Sequence, residues 1–274
     1  MELSSTLKLN NGVDIPWIGL GVFKSPPGTE TEQAVRWALE IGYRHIDTAA
    51  FYENEADVGR ALKDSGIPRE KVFITTKVWN SDQGYQKTLA AFDRSRKNLG
   101  LDVVDLYLVH WPIKGKYRET WKALEKLLSD GKARAIGVSN FLAHHLEDLM
   151  KNSSVIPAVN QVEFHPLLVQ EELLGFDTRA RICHEAWAPL GRARNFDNPV
   201  IAEIARKYGR TPAQVILRWD IELGVVAIPK SVHRERILEN SKVFDFELAR
   251  EDIAKITALD KGIRLGPHPD NISA

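Results

Sequence analysis

Short apolar runs separated by amphipathic segments recur along the whole 274-residue chain. The runs are Trp17–Phe23, Arg44–Asp47, Val72–Lys77, Val104–His110, Ala133–Ser139, Ala158–Glu163, Ile182–Ala188 and Val225–Ile228. Most are rich in Val and Ile without strict alternation, which predicts parallel strands covered on both faces. The segments between them carry helix signals. Thr29-Glu30-Thr31-Glu32 predicts a capping box, followed by Ala34, Val35, Ala38, Leu39 and Ile41 at helical spacing. Thr211-Pro212-Ala213-Gln214 combines an N-cap Thr, a Pro at the first helical position and a Gln two residues later. Val215, Ile216, Trp219 and Leu223 supply its apolar face, and Gly224 sits where a C-terminal glycine belongs. Trp121, Leu124, Leu127 and Leu128 do the same before Gly131. The runs end about 24 to 41 residues apart, close to the ~30-residue βαβ unit. Eight such units predict an α/β fold, a closed (β/α)8 TIM barrel. Leu7–Ile15 around Asn11-Gly12 predicts a β-hairpin, placed across the barrel bottom.

Composition narrows the function. No composition shift divides the chain, so residues 1–274 are expected to form one domain. The 37 Lys+Arg balance the 37 Asp+Glu, which leaves no basic excess for nucleic acid. A single cysteine, Cys183, excludes an intrachain disulfide and a multi-thiolate metal site. The first residues lack the basic start and apolar core of a signal peptide, and no run reaches the roughly 18 residues of a membrane span. A cytoplasmic protein without a membrane partner is expected. The histidines form no HExxH motif, so no metal is expected. His144 and His145 are adjacent on a helical segment and are expected to point apart on the surface.

Two motifs begin well and fail. Gly19-Leu20-Gly21-Val22-Phe23-Lys24 starts like a dinucleotide fingerprint but has Lys24 in place of the third glycine. Gly137-Val138-Ser139-Asn140-Phe141 resembles a nucleophile elbow, with Phe141 replacing the last glycine. A serine hydrolase built on Ser139 stays open as an alternative.

The strand ends carry the chemistry. In such barrels the reactive groups sit at the C-terminal ends of the strands. Here those ends are Asp47 (then Tyr52), Lys77, His110, Ser139-Asn140, Gln161 and Lys230-Ser231. Singly, each has an ordinary structural role. Together, Asp, Lys and Tyr make a proton donor. The lysine ammonium favours phenolate and lowers the tyrosine pKa, while the aspartate keeps the lysine charged and placed. His110 would orient a carbonyl oxygen. With no activated Cys or Ser nucleophile, a cofactor hydride is the natural attacking group.

These residues resemble the aldo-keto reductase superfamily along nearly the whole chain. The stretches Gly42–Glu55, Gly131–Phe141 and Ile228–Ser231, the last continuing through Arg236 to Asn240, resemble its signatures. The resemblance implies reduction of aldehydes and ketones with NADPH bound extended. It makes Tyr52 the general acid, tuned by Lys77 and Asp47, with His110 orienting the carbonyl. Ser139, Asn140 and Gln161 would bond the nicotinamide carboxamide and Trp187 would stack on its ring, beside Ala188, Pro189 and Leu190. Gly21 and Val22 would also contact the cofactor. Lys230, Ser231, Val232, Arg236 and Asn240 would hold the 2′-phosphate end, two cations and a hydroxyl suiting a dianion. Glu239 would face the adenine.

Within the superfamily the chain resembles bacterial reductases of glyoxals and 2,5-diketo-D-gluconate and the prostaglandin F synthase-like group. Phe23, Trp79 and Trp111 would wall the substrate pocket with His110. The short Gly191–Asn198 connection and the brief tail after Lys261 suggest an open site for small carbonyls, with Arg192 and Arg194 read as surface charges. A monomer is expected from the resemblance. An NADPH-binding sensor or partner subunit with little turnover is the other alternative.

Overall fold

The computed structural model describes residues 1–273. Strands β1 (Thr6–Lys8) and β2 (Asp14–Pro16) form the expected hairpin, with Leu7 opposite Ile15. Gly12 takes the positive φ (87°) that its turn requires. Eight parallel strands follow, side by side in chain order: β3 (Leu20–Gly21), β4 (His45–Asp47), β5 (Phe73–Val78), β6 (Val104–Val109), β7 (Ala133–Ser139), β8 (Val159–Glu163), β9 (Cys183–Trp187) and β10 (Val226–Ile228). Parallel bridges from Ile18 to Ala227 and from Gly21 to Lys230 join the first strand to the last. The barrel closes there, as predicted. The closure also explains the failed dinucleotide motif. A Cβ on Gly19 would stand 2.7 Å from the His45 ring, and one on Gly21 2.9 Å from the Ile228 carbonyl oxygen. Those glycines serve close approach of chain to chain.

The helices are α1 (Thr29–Ile41), α2 (Glu55–Asp64), α3 (Tyr85–Leu99), α4 (Tyr117–Ser129), α5 (Ala143–Lys151), α6 (Glu171–Arg179), α7 (Pro199–Tyr208), α8 (Pro212–Glu222), α9 (Arg234–Ser241) and α10 (Arg250–Thr257). The capping box at Thr211 is present: its hydroxyl accepts from Gln214 N–H at 3.3 Å, and Gln214 Oε1 accepts from Thr211 N–H at 3.1 Å. The box expected at Thr29 is not. Gly28 is the N-cap of α1, and its N–H is taken by Asp57 of α2 at 2.7 Å, a partner from outside the local sequence.

The barrel bore changes character along its length. Phe73, Leu106, Leu108, Ala135, Val159, Cys183 and Val226 form an apolar cluster. Leu9 and Ile15 of the hairpin complete it, so the hairpin plugs the bottom. Further along the same strands the alternate positions are Asp47, Lys77, Gln161 and Glu185, all buried. Period-two alternation carries one side of each strand from the plug to these polar groups.

Candidate active site

Asp47 ends β4, Lys77 stands one residue before the end of β5, and His110 directly follows β6. Tyr52 closes a short 3₁₀ turn, Ala50–Tyr52, that folds back over β4. The Lys77 ammonium donates to Asp47 Oδ1 at 2.6 Å, to Oδ2 at 2.8 Å and to the Thr48 carbonyl at 2.9 Å. The ammonium also faces Tyr52, 5.1 Å from the ring centroid, and favours the phenolate through its charge and through hydrogen bonding. The His110 ring lies 5.8 Å from the Tyr52 ring, at 76° to it. The four predicted residues are brought together.

Their electrostatics differ from the expectation in one respect. Burial opposes the charge on Lys77, but Asp47 and Tyr52 hold it above its ordinary value. Burial also pushes Tyr52 up to about 12, and the downward pull of Lys77 is smaller, with Asp47 working against it. Desolvation therefore outweighs the ammonium, and the phenol keeps its proton more tightly than a free tyrosine. Such a donor releases its proton only to a strong base such as a developing alkoxide. His110 is held well below its ordinary value by burial and by Lys77, so it is a neutral imidazole. Its Nδ1 is buried without a partner.

Asp47, Tyr52 and His110 line a cavity of about 650 Å³, with Lys77 buried behind Asp47. Ser139, Asn140, Gln161 and Trp187 line it too, with Ala188, Pro189 and Leu190, and so do Gly21, which is paired with Asp47, and Lys230, which is bridged to Gly21. Hydrogen bonds within the protein set what Ser139, Asn140, Gln161 and Trp187 can offer. Ser139 Oγ donates to the Gln161 carbonyl at 2.8 Å. Asn140 Nδ2 donates to the His110 carbonyl at 2.9 Å and to Ser139 Oγ at 3.1 Å. Gln161 Nε2 donates to Asp47 Oδ2 at 2.8 Å and to Glu185 Oε2 at 2.7 Å. Trp187 Nε1 donates to Asn140 Oδ1 at 2.8 Å, which fixes the indole. The group therefore presents acceptor lone pairs toward the cavity, suited to a ligand amide N–H.

The remaining expectations divide. Ser231 and Asn240 are buried and Arg236 is exposed at the start of α9. Neither Lys230 nor Arg236 has a carboxylate partner among the described residues, leaving both cations available to an anion. The Glu239 carboxylate accepts from the Thr211 hydroxyl at 2.6 Å, which occupies one of its oxygens with the cap of α8. Val22 is fully buried in the core: its N–H donates to the Asp47 carbonyl at 3.1 Å and its own carbonyl accepts from Asn54 Nδ2 at 3.0 Å, so neither its side chain nor its backbone is free for a ligand. Val232 packs partly buried against the same core.

Phe23, Trp79 and Trp111 also line the cavity, and so does Phe51, which the sequence did not single out. Phe51 stacks on Trp79 with centroids 3.8 Å apart. The tail and the connection after β9 both reach the site. Leu265, Gly266, Pro267 and Ile272 line the cavity, and Arg192 does too. Leu265 and Gly266 donate their N–H groups to Glu163 at 2.5 and 3.1 Å. Burial opposes charge on Glu163, but these donors and His165 keep it below its ordinary value. A Cβ on Gly266 would fall 2.6 Å from Trp187, so only glycine lets the tail cross the indole this closely.

Two other expectations are overturned. Ser139 has no histidine partner; its hydroxyl meets a carbonyl and an amide, so no base activates it. His144 and His145 do not point apart: their rings are 4.0 Å from each other, and both Nε2 atoms approach Asp270 Oδ1, at 3.0 and 3.2 Å. His145 Nδ1 accepts from Leu142 N–H at 3.2 Å, which leaves its proton on Nε2 facing Asp270. The cluster is held by hydrogen bonds that join α5 to the tail.

Comparison with known proteins agrees with this geometry. The aldo/keto reductase family model matches residues 18–261. The chain is 56% identical over 271 residues to glyoxal reductase of Bacillus subtilis (strain 168), covering 99% of this chain and 98% of that one. It is 54% identical over 266 residues to 9,11-endoperoxide prostaglandin H2 reductase of Trypanosoma cruzi (strain CL Brener), covering 96% and 94%. An aldo-keto reductase of Bombyx mori crystallised in complex with NADP superposes with a TM-score of 0.92 at 36% identity, covering 98% and 97%. With the barrel, the strand-end residues and these likenesses in agreement, the chain belongs to the aldo/keto reductase family.

Proposed function

We propose that the protein reduces aldehydes and ketones to alcohols with NADPH, acting as a monomer of one barrel domain in the cytoplasm. Small reactive carbonyls such as methylglyoxal or keto sugar acids are its substrates. The observation that carries this reading is that Asp47, Tyr52 and His110, with Lys77 bonded to Asp47, line a cavity that Lys230 also lines. Relatives named glyoxal reductase support the carbonyl class, and a neighbour crystallised with NADP supports the cofactor.

The residues present fit that cofactor. The acceptors of Ser139, Asn140 and Gln161 suit the carboxamide N–H, and the fixed Trp187 indole offers a face for stacking. The unpaired Lys230 and Arg236 suit a phosphate at the positive start of α9. When bound, the cofactor supplies a hydride.

The chain supplies everything else. Neutral His110 donates to the carbonyl oxygen and orients it. Phe51, Trp79 and Trp111 exclude water around it, which strengthens each electrostatic contact. Tyr52 gives its proton to the oxygen as negative charge develops there, and the buried Lys77 ammonium stabilises the phenolate left behind. Asp47 keeps that ammonium charged and placed.

The test follows the absorbance of reduced cofactor with methylglyoxal, an aromatic aldehyde and a diketo sugar acid, comparing NADPH with NADH. NADPH-dependent turnover is expected, with the small dicarbonyl and sugar acid preferred. Cofactor binding without turnover of any carbonyl would refute the reading in favour of a sensor.

A further inference from the structure

Glu185 is a carboxyl group with no exposed surface, in the middle of β9, on the bore side between Cys183 and Trp187. It shares a single donor with Asp47: the two N–H bonds of the Gln161 amide go one to each carboxyl group. Its other oxygen, Oε1, has no hydrogen-bond partner. The nearest cationic candidate to that oxygen is His45 Nε2 at 3.7 Å, but burial drives His45 down to about 3, so the ring is neutral. His45 instead bonds Thr75 Oγ1 at 3.1 Å.

The charges around Glu185 can be enumerated from every strand that packs on it. The two strands paired with β9 place Gln161 (β8) and Val226 (β10) opposite Glu185, neither of them titratable; from β4 come Asp47 and neutral His45, from β5 Lys77, from the 3₁₀ turn Tyr52, and on β9 itself Cys183, a buried thiol pushed up by burial. Among the described residues Lys77 is the one cation that acts on Glu185, and its ammonium bonds Asp47 and Thr48 rather than Glu185. Ionised Asp47 with Lys77 is already neutral overall. A second carboxylate would leave a net negative charge on fully buried groups, which is strongly unfavourable.

We propose that Glu185 is a positioning residue of the reductase site, a neutral acid at rest that acts on Tyr52 through Gln161 and the Asp47–Lys77 pair. As a neutral group it leaves the Gln161 amide shared and the Lys77 field undiminished at Tyr52. Its folded-state value is raised to about 8 by burial and by the Asp47 charge, so it ionises as the medium turns mildly alkaline. The added negative charge then favours the proton on Tyr52. Phenolate, the form needed as base for alcohol oxidation, becomes harder to reach. Glu185 thus biases the site toward reduction at alkaline pH.

This inference rests on the proposed reductase activity for its kinetic half and stands apart from it for its protonation half. Infrared spectra of wild type minus Glu185→Gln, on the protein without cofactor, read the protonation directly. The carbonyl stretch of a protonated acid is expected at neutral pH and fades as pH rises through mildly alkaline values. Glu185→Thr serves as a second uncharged variant should the amide pack poorly. In both variants the basic limb for alcohol oxidation moves down by about one pH unit, with reduction at neutral pH within a few-fold of wild type. Absence of the acid band, or profiles that superimpose on wild type, overturns the proposal. A uniform loss of rate at every pH with no shift also overturns it, as a merely structural role would give that result. If wild type reduces no carbonyl, the reductase reading fails while the infrared result still decides the state of Glu185.

Discussion

The two ends of the barrel bore are built on the same strands and do opposite work. At the bottom, Phe73, Leu106, Leu108, Val159, Cys183 and Val226 meet Leu9 and Ile15 in an apolar plug. Toward the top, the same alternation yields Asp47, Lys77, Gln161 and Glu185, buried as completely but joined by hydrogen bonds. Burial is common to both ends. In the plug it is a source of stability. In the upper part it works against every charge, and the network that offsets it also holds the groups ready for proton transfer. The comparison teaches that stability and chemistry are separated along one strand by a step of two to four residues.

Substitutions on either side should break that separation if it is wrong. The largest effect belongs to Lys77→Met, which leaves the Asp47 carboxylate buried without its cation. A loss of about 3–5 kcal/mol in urea unfolding is expected, together with a fall in carbonyl reduction of about 10²–10⁴-fold. Leu108→Ala, in the plug, should cost about 2–5 kcal/mol by cavity formation. Its kcat and KM should stay at wild-type values where the protein is folded. A changed kcat would show that the plug reaches the chemistry.

A third buried carboxyl sharpens the contrast. Asp220 on α8 is fully buried outside the bore, with both oxygens unpartnered, and burial drives its value well above the ordinary range. The folded protein therefore binds a proton that the unfolded chain releases, and stability from this group falls as pH rises above the ordinary carboxylate range. Asp220→Asn should raise Tm, by more at about pH 8 than at about pH 5. Activity should be unaffected. An equal shift at both pH values would mean that Asp220 is already ionised.

The strands were legible in the sequence because burial on both faces writes them as short Val- and Ile-rich runs, each ending within two residues of its observed end. Asp47, Lys77 and His110 were legible because ionisable residues interrupted the ends of those runs, with Tyr52 close after Asp47. What stayed hidden depends on contacts through space. Gly28 replaces Thr29 as the cap of α1 because Asp57 arrives from another helix. The tail walls the site because Glu163, on β8, accepts its backbone N–H groups. Glu185 did leave a trace, a carboxylate inside the apolar run Ile182–Ala188, and alternation from Trp187 would have placed it in the bore. Tyr52 is less acidic than its charged neighbours alone imply, because charge pairs are visible in a sequence while desolvation is not.

The most direct test of the central claim, that Tyr52 is the proton donor, uses Tyr52→Phe. NADPH binding would be measured by calorimetry and carbonyl reduction by single-turnover absorbance on the same preparation. The account predicts binding within about twofold of wild type and reduction slower by about a thousandfold. Reduction at the wild-type rate with binding intact would contradict it.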